Sequence, residues 1–594
     1  MKKLRVIMCL ICGAMIFTTA QAQNKMTSTY PQNRNYSTYA RKMAQLLDLI
    51  NLYYVDTVNF DKLTEAGIVE VLKELDPHSV YISPEEVAAA NEPLQGGFDG
   101  IGVSFQIIKD TINVIEVIVG GPSEKVGLMP GDKIVKVDSL DATGKQISNK
   151  WVQTHLRGKK GTKVPITVLR GRRGMLSFVI TRDKIPMNSI NVFCMLDSQT
   201  GYIRLERFAQ NSNQEFIEAI TKLKARGMEN LIFDLRGNGG GYLNTAFNIA
   251  DQFIKNGKMI VYTNNIHKNS ESYRASSAGE FEKGKLIVLV DEGSASASEI
   301  VSGAVQDWDR GLIMGRRTFG KGLVQKPVEL ADKSQVRLTV SHYYTPTGRC
   351  IQKSYSDGLD SYFSDLQARS KHGEYFTADS IKFPDSLKFK TPQGRIVYGG
   401  GGIMPDIFIP LDTSKYSSLY AEFVRKGIVH GFIISYMEDH REALKEQYPT
   451  IEDFKNNFKV SDALYNDLVA YGKKEGVSDS VNFNFSARLN AFVAVNREKL
   501  DLLYRNLSDL SQTAALDSLM KTFVEKSYHE AEKLRNENRA PEFIKEYLKF
   551  EIARNIFNYG EAYQLFLMTD DVCQKALEAM HDDKLFKKFK VLSK

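Results

Sequence analysis

Residues 286–325 decide the fold prediction and read LIVLVDEGSASASEIVSGAVQDWDRGLIMGRRTFGKGLVQ. The stretch opens with five consecutive apolar residues, which is typical of a strand buried on both faces. A turn at Glu292-Gly293 follows, and apolar residues then recur at helical spacing over residues 300–308. The pattern predicts a strand, a tight turn and a helix, with serines at the start of the helix.

The serines at this junction can be interpreted in two ways. A helix N-terminus presents free backbone N–H groups, so a hydroxyl placed there could attack a carbonyl whose oxyanion those groups would stabilise. Ser296, three residues before Glu299, also matches a capping box, in which the serine only caps the helix. Spacing alone does not separate these roles, nor does it choose among Ser294, Ser296 and Ser298.

A lysine flanked by glycines lies downstream, in the segment Gly320-Lys321-Gly322. Flanking glycines allow a lysine to approach other backbone closely, and burial there would favour its neutral form. A neutral lysine can act as a general base toward serine. Gln325, four residues further on, could hold the amine by a hydrogen bond. The lysine therefore favours catalysis over simple capping.

The same segment carries a competing signal. Residues 315–321 match the spacing of a phosphate-binding P-loop up to its lysine. The next residue of a P-loop should be serine or threonine, to bind magnesium, whereas this sequence has Gly322 and an arginine pair inside the loop. Nucleotide binding is thus an alternative that the structure can test.

The segments SASASEI and TFGKGLVQ resemble the C-terminal processing peptidases, bacterial periplasmic serine–lysine enzymes with an embedded PDZ domain. The resemblance implies that Ser296 is the nucleophile, Lys321 the general base and Gln325 the residue that orients the base. It implies no metal and no organic cofactor.

A glycine-rich segment, RGNGGG at residues 236–241, follows a short apolar run that predicts a buried strand. Such a turn lets backbone N–H groups approach a phosphate or an oxyanion closely. Its spacing is not GxGxxG, which disfavours a dinucleotide site. The family resemblance assigns an oxyanion-hole N–H group to Gly240, alongside that of Ala297.

Residues 97–184 form a β-rich pattern. Two glycines precede an alternating strand in Gly100-Ile101-Gly102-Val103, so successive N–H groups there can converge on a peptide carboxylate. The motif GPSEKVGLMPGDKI at residues 121–134 resembles a PDZ domain, and a structural β-domain with glycine turns is the alternative.

The N-terminus resembles a secretory signal peptide. Three basic residues precede the apolar run 6–17, which ends at Ala20-Gln21-Ala22 and is too short to span a membrane. Lipid attachment at Cys12 is an alternative that Cys9 disfavours, because a lipobox has an aliphatic residue there. Removal of residues 1–22 lowers the net charge from +7 by three to +4, too mild and dispersed to indicate nucleic-acid binding.

The remaining residues add few functional candidates. The segment Asp76-Pro77-His78-Ser79 predicts an Asx-type turn with a role in packing or dimerisation, and His342 is interpreted as a packed strand histidine. Residues 354–385 are polar and predict a surface insertion. The three cysteines beyond the signal are an odd, scattered set, which predicts buried thiols.

These patterns predict a multidomain α/β and α+β protein, in which a β-rich PDZ domain precedes an α/β serine protease core and helical regions flank both. With 594 residues, about three or four domains are expected. The predicted boundaries are a signal peptide at 1–22, an N-terminal helical region at 23–95, the PDZ domain at 96–185, the protease core at 186–411 and a helical C-terminal domain at 412–594. Helices are predicted in the last of these at residues 486–506, 517–536 and 541–558.

The predicted function is that of an exported, periplasmic serine endopeptidase whose PDZ domain recognises the exposed C-termini of protein or peptide substrates. No nucleic acid and no stable membrane span are expected, and self-association into a homo-oligomer is left open. The alternative is a catalytically silent PDZ scaffold in the cell envelope.

Overall fold

The computed structural model describes residues 36–267, 269–412, 417–477 and 540–591. The chain divides into two compact units, residues 1–71 and residues 72–594. The described part of the first unit contains helix α1 (Tyr36–Tyr53) and most of helix α2 (Phe60–Lys73). The predicted signal peptide and the helices predicted at residues 486–506 and 517–536 lie outside the described residues. All remaining elements belong to the second unit.

The second unit begins with two short elements and a β-rich domain. In chain order these are β1 (Val80–Ile82), α3 (Val87–Gln95), β2 (Gly97–Gly100), β3 (Val103–Ile108), β4 (Thr111–Val117), α4 (Pro122–Lys125), β5 (Lys133–Val137), β6 (Leu140–Asp141), α5 (Asn149–Leu156), β7 (Lys163–Arg170), β8 (Gly174–Thr181) and β9 (Asp183–Pro186). The sheet order is β3-β4-β5-β7-β8, with β6 paired to β5. Strands β2 and β9 pair with each other as a two-stranded stem, through which the chain enters and leaves the domain.

Two further sheets make up the α/β core. Its elements are β10 (Val192–Met195), β11 (Thr200–Arg204), α6 (Ser212–Lys224), β12 (Asn230–Asp234), α7 (Leu243–Asp251), β13 (Met259–Asn264), β14 (Ser270–Arg274), β15 (Leu286–Val290), α8 (Ala297–Asp307), β16 (Leu312–Gly315), β17 (Leu323–Glu329), β18 (Gln335–Tyr344), α9 (Leu359–Lys371), β19 (Lys388–Lys390), β20 (Ile396–Tyr398) and β21 (Ile407–Phe408).

The central sheet has the order β10-β11-β12-β15-β16-β21. All its neighbouring strands are parallel except the pair β10 and β11. Every residue of β15 is fully buried, as expected for a parallel strand covered on both faces. Because the strands run in one direction, the loops that follow β12, β15 and β16 emerge at the same edge of the sheet.

The second sheet of the core has the order β1-β18-β13-β14. Strand β17 belongs to the same sheet and pairs with β18. The long strand β18 pairs antiparallel with β17 along seven residue pairs, which fixes the segment that follows Lys321. This sheet therefore carries the lysine segment toward the loops at the edge of the central sheet.

A helical region closes the chain. Its described helices are α10 (Ser418–Arg425), α11 (Ile428–Gln447), α12 (Ile451–Asn457), α13 (Asp462–Lys474), α14 (Ala540–Ile556), α15 (Tyr559–Leu567), α16 (Asp571–Met580) and α17 (Asp583–Lys588). The basic C-terminal segment forms α17, and its Phe586 is buried in the same apolar cluster as the other helices. Within the described residues, no helix combines the length and apolarity needed to cross a bilayer.

This helical region covers one face of the central sheet. On β15, Ile287 and Leu289 belong to the apolar cluster that includes the C-terminal helices, whereas Val288 and Val290 belong to the cluster that includes α6, α7 and α8. Burial of an aliphatic side chain contributes about 1.5–3 kcal/mol relative to exposure. The helical region therefore forms one of the two layers that bury the central sheet. The predicted fold class is confirmed.

The predicted surface insertion at residues 354–385 is wrong in part. Helix α9 lies within it and buries Tyr362 and Arg369, which are 2% and 3% exposed. The Arg369 guanidinium donates to the carbonyl oxygens of Thr318 (2.7 Å) and Phe319 (3.1 Å). The polar composition of residues 354–385 predicted an exposed segment. Arg369 can nevertheless be buried, because its guanidinium is hydrogen-bonded to the backbone just before the lysine segment.

Candidate active site

The serine segment forms a strained turn between β15 and α8. Ser296 has φ +55° and ψ −110°, a conformation that non-glycine residues rarely adopt. Ser294 and Ser298 are fully buried, and their hydroxyls donate to the carbonyl oxygens of Leu235 and Asn238, each over 2.8 Å. Ser296 is half-buried, so it is the serine of the three whose side chain reaches open space.

A cavity of about 290 Å³ brings the predicted site residues together. Ser296, Ala297, Lys321 and Gln325 all line it, and Gly239 and Gly241 of the glycine-rich segment complete one side. The predicted nucleophile, base and orienting residue therefore share one open space at the edge of the central sheet.

Lys321 owes its placement to the glycines that flank it. A Cβ atom on Gly320, where φ is +91°, would lie 3.0 Å from the backbone nitrogen of Gly402. A Cβ atom on Gly322 would lie 2.9 Å from the backbone nitrogen of Gln352. Lys321 is half-buried in this closely packed segment, and its burial lowers the pKa of Lys321 below the ordinary lysine value.

Glu299 connects the serine turn to the lysine segment, a role that the sequence analysis missed. Its fully buried carboxylate accepts the backbone N–H groups of Ser296 (2.8 Å), Lys321 (2.9 Å) and Gly320 (2.7 Å), and also the hydroxyl of Thr318. Burial raises the pKa of Glu299. The capping-box motif was the available signal, but it indicated only the contact with the Ser296 backbone.

Tyr343 provides a second bridge that the sequence did not reveal. Its Oη atom lies 3.0 Å from the carbonyl oxygen of Ser296 and 2.6 Å from that of Lys321. The side chain is 1% exposed, and its single O–H proton is shared between these two carbonyl oxygens. Both segments are thus held through their backbones, and Ser296 and Lys321 line the cavity.

The turn at residues 76–79 lies beside Lys321. As predicted, Asp76 forms an Asx-type turn, because its carboxylate accepts the N–H of His78 at 2.8 Å. His78 Nε2 lies 2.7 Å from Tyr362 Oη, and burial together with the positive charge of Lys321 lowers the pKa of His78 to about 4. The turn contributes to the surroundings of the lysine, and His78 is uncharged near neutral pH.

Gln325 is held by a short chain of hydrogen bonds. Its Nε2 donates to Thr339 Oγ1 at 3.2 Å, and that hydroxyl donates to Asp76 Oδ1 at 2.9 Å. These bonds fix the plane of the Gln325 amide at the wall of the cavity that Lys321 also lines.

The glycine-rich segment packs directly against the serine turn. Gly240 has φ +104°, and a Cβ atom there would lie 2.9 Å from the Ser296 Cβ and 3.0 Å from the Ala297 nitrogen. The N–H of Gly240, to which an oxyanion role was assigned, donates to Asn238 Oδ1 at 2.9 Å. Space at the serine thus requires a residue without a side chain at position 240.

The predicted peptide-binding segment of the PDZ-like domain precedes its edge strand, β3. Gly102 has φ +76°, and the carbonyl oxygen of Ile101 accepts the N–H and the hydroxyl of Ser123. Val103 starts β3, which pairs with β4 alone among the strands that the structure describes. The strand therefore keeps one edge on which an extended peptide could add, next to Gly100 and Gly102.

The P-loop alternative does not fit the structure. The segment after Lys321 is strand β17, whereas a P-loop leads into a helix. The N–H groups of Gly320 and Lys321, which would face a phosphate, bind the Glu299 carboxylate instead. Among the described residues no group of three or more His, Cys, Asp and Glu side chains could hold a metal ion.

Models of three protein families match the sequence. The model of peptidase family S41 matches residues 199–360, and a PDZ-domain model matches residues 100–177. A model of a family of unknown function matches residues 419–491.

Two curated proteins and one solved structure illustrate the similarity. A probable CtpA-like serine protease of Staphylococcus aureus (strain MRSA252) is 34% identical over 322 residues, which are 54% of this chain and 64% of that protein, so less than two thirds of it is spanned. The carboxy-terminal processing protease CtpB of Bacillus subtilis (strain 168) is 31% identical over 352 residues, which are 58% of this chain and 71% of that protein. The structure of a photosystem II D1 C-terminal processing protease is 26% identical, covers 63% of this chain and 88% of its own, and gives a TM-score of 0.34.

The identity to the Bacillus subtilis protein and the matches to the S41 and PDZ models agree with the resemblance found in SASASEI and TFGKGLVQ. The chain belongs to the carboxy-terminal processing proteases of peptidase family S41, a family of serine-type peptidases.

Proposed function

We propose that the protein is an exported serine endopeptidase that holds C-terminal segments of polypeptide substrates through its PDZ domain and cleaves them with Ser296 and Lys321. One observation carries the proposal. A half-buried serine at a helix N-terminus and a lysine with a lowered pKa line the same cavity.

In the proposed reaction, neutral Lys321 accepts the hydroxyl proton of Ser296 while Oγ forms a bond to the substrate carbonyl carbon. The carbonyl oxygen becomes an oxyanion. Collapse of this intermediate breaks the C–N bond, and the Lys321 ammonium returns its proton to the leaving amine. Water then attacks the acyl-enzyme with Lys321 again as base, which releases the new carboxylate and restores the Ser296 hydroxyl.

Two backbone N–H groups would stabilise the oxyanion in this scheme, those of Ala297 and Gly240. The Gly240 N–H would exchange its Asn238 acceptor for the oxyanion as the intermediate forms. Gln325 would orient the amine of Lys321 with its carbonyl oxygen, because its Nε2 is engaged by Thr339.

Substrate recognition would rest on the backbone of the PDZ domain. The N–H groups around Gly100, Ile101, Gly102 and Val103 suit a terminal carboxylate, and the free edge of β3 suits an extended chain. Backbone donors are indifferent to most side chains, so the C-terminus of the substrate would matter more than the residues at the cleaved bond.

The first prediction concerns the base. Activity should rise with pH through the lowered pKa of Lys321, because the amine accepts a proton only above that pKa. Replacement of Lys321 by Arg should abolish activity at every pH, since a guanidinium stays protonated. Replacement of Ser296 by Ala should lower kcat by about a thousand-fold or more. The measurement is the pH profile of peptide hydrolysis.

Lys326→Ala is the matched control, because this lysine is exposed on β17 and should leave the profile unchanged. A serine-reactive phosphonate should label Ser296 and neither Ser294 nor Ser298, as mapped by peptide mass. Full activity of Ser296→Ala or Lys321→Arg would contradict the dyad.

The second prediction concerns the glycine loop. Gly240→Ala should lower kcat by about a hundred-fold or more, because the added methyl would meet Ser296 and because φ is +104°. Gly239→Ala should keep most of the activity, since a Cβ atom there meets no atom within 4 Å. Steady-state kinetics of both variants, with circular dichroism to verify folding, decides the matter. Equal losses would argue against a special role for position 240.

The third prediction concerns the substrate carboxylate. Hydrogen bonds to a charged group contribute about 1.5–3 kcal/mol each, so amidation of a substrate's C-terminus should weaken binding roughly ten- to hundred-fold. Fluorescence anisotropy of free-acid and amidated peptides measures this without changing the protein. Acetylation of the peptide N-terminus is the control. Equal affinity of the free-acid and amidated peptides would contradict recognition of the substrate C-terminus by the PDZ domain.

The fourth prediction concerns export. The segment 1–22 has the pattern of a cleaved signal, so the mature chain should begin at or near Gln23 and be recovered from the periplasmic fraction. N-terminal sequencing of the recovered protein measures this. An acylated N-terminus at Cys12 would instead support the lipid-anchored alternative.

A further inference from the structure

A buried group of charges joins the C-terminal helical region to the strand that precedes the glycine loop. Asp234, the last residue of β12, is fully buried and accepts hydrogen bonds from Arg236 Nε and Nη2, the latter at 2.6 Å. The same guanidinium donates to both carboxylate oxygens of Asp570, with Nη1 at 3.1 Å and Nη2 at 2.5 Å. A paired, two-point contact of this kind has a defined geometry.

Asp570 is itself held rigidly. It is the N-cap of α16, and its Oδ1 accepts the N–H groups of Val572 at 3.0 Å and of Cys573 at 3.3 Å. It is 8% exposed. Beside it, Tyr563 of α15 accepts a hydrogen bond from Arg204 at 2.9 Å, so a second arginine of the core meets the same helical region.

Arg236 is the last residue before the glycine loop, residues 237–241. Four of these five residues are glycine, which restricts its own backbone least of all residues. The shape of the loop therefore depends on its anchors. Within it, Asn238 accepts the N–H of Ala295 and ties the loop to the serine turn. At the beginning of the loop, the N–H of Gly237 donates to Asp291 Oδ1 at 2.8 Å, and the Arg236 side chain, held by Asp570, is a second anchor.

We propose that Asp570 is a positioning residue that, through Arg236, holds residues 237–241 in the shape that binds the oxyanion. The C-terminal helical region then has two roles: it buries one face of the central sheet, and it positions the glycine loop of the active site. The binding of an oxyanion by the loop rests on the proposed function, whereas the anchoring of the loop by Asp570 and Arg236 does not.

Asp570→Asn isolates the contact from folding. Asparagine caps helices about as well as aspartate, so α16 keeps its N-cap. Arg236 keeps Asp234 as a charged partner, so no buried cation is left unpaired. The change removes the negative charge and the Oδ2 acceptor that faces Arg236 Nη2, and it leaves an oxygen at the Oδ1 position for the helix cap.

Asp583→Asn is the matched control. Asp583 of α17 also joins the helical region to the core, through an ion pair of 2.5 Å with Lys285, but its side chain is 73% exposed and Lys285 precedes β15 at the edge opposite the site. Both variants thus lose one carboxylate between the same two parts of the full-length chain.

The experiment compares hydrogen exchange and kinetics of the two variants with those of the full-length wild type. Asp570→Asn should speed exchange in the peptide covering residues 236–242 roughly tenfold, and should lower kcat about ten- to hundred-fold with little change in KM. The acid limb of the pH profile should stay in place, because the Lys321 segment is not touched. Asp583→Asn should change none of these.

Unchanged exchange of residues 236–242 in Asp570→Asn would overturn the proposal. Equal kinetic losses in both variants, in step with equal losses in Tm, would also overturn it, since they would reflect stability alone. If the wild type cleaves no peptide, the proposed function fails, and the exchange comparison by itself still decides whether Asp570 anchors the loop.

Discussion

The buried carboxylate of Glu299 is the interaction on which the arrangement of the site depends. It accepts backbone N–H groups from both the serine turn and the lysine segment, which come from different loops at the edge of the central sheet. A buried carboxylate is costly unless it is hydrogen-bonded, and each buried donor left without an acceptor costs about 1–3 kcal/mol. The carboxylate and its donors therefore require each other. The strained backbone of Ser296 is held in this arrangement by the hydrogen bond from its N–H to Glu299.

The central sheet, whose edge carries these loops, is stable only when both of its faces are buried. Its parallel strands need cover on both faces, and α6, α7 and α8 cover only one. The C-terminal helices cover the other face and also reach the PDZ domain, where Arg554 pairs with Glu116 at 2.9 Å and Lys109 with Glu475 at 2.8 Å. The Lys109–Glu475 pair contributes little to stability, because the lysine side chain is exposed to solvent. Burial of the sheet face is the larger contact of the helical region, and the Arg554–Glu116 pair adds a contact with the PDZ domain.

The sequence predicted what local patterns encode. The buried strand β15, the helix after it, the glycine-flanked Lys321 and the β-rich domain all follow from periodicity and glycine placement. Contacts between distant segments were missed: the two-sided role of Glu299, the bridge made by Tyr343, and Asp570 behind the glycine loop. No local spacing encodes these contacts, because each depends on how loops meet at one edge of the sheet. The assignment of Gly240 as an oxyanion donor came from resemblance, and its N–H is bound within its own loop.

The lysine shows how burial and charge compete in this site. The carboxylates of Asp76 and Glu299 both act to raise the pKa of Lys321, yet burial lowers it more. Asp76 also accepts hydrogen bonds from Ser79 and Thr339, so its carboxylate is held in place beside the lysine. The lowered pKa of Lys321 thus rests on the exclusion of water from its side chain. A polypeptide that fills the cavity displaces more water from Lys321, and this acts in the same direction as the burial already present. In the proposed mechanism, substrate binding would therefore lower the pKa of Lys321 further.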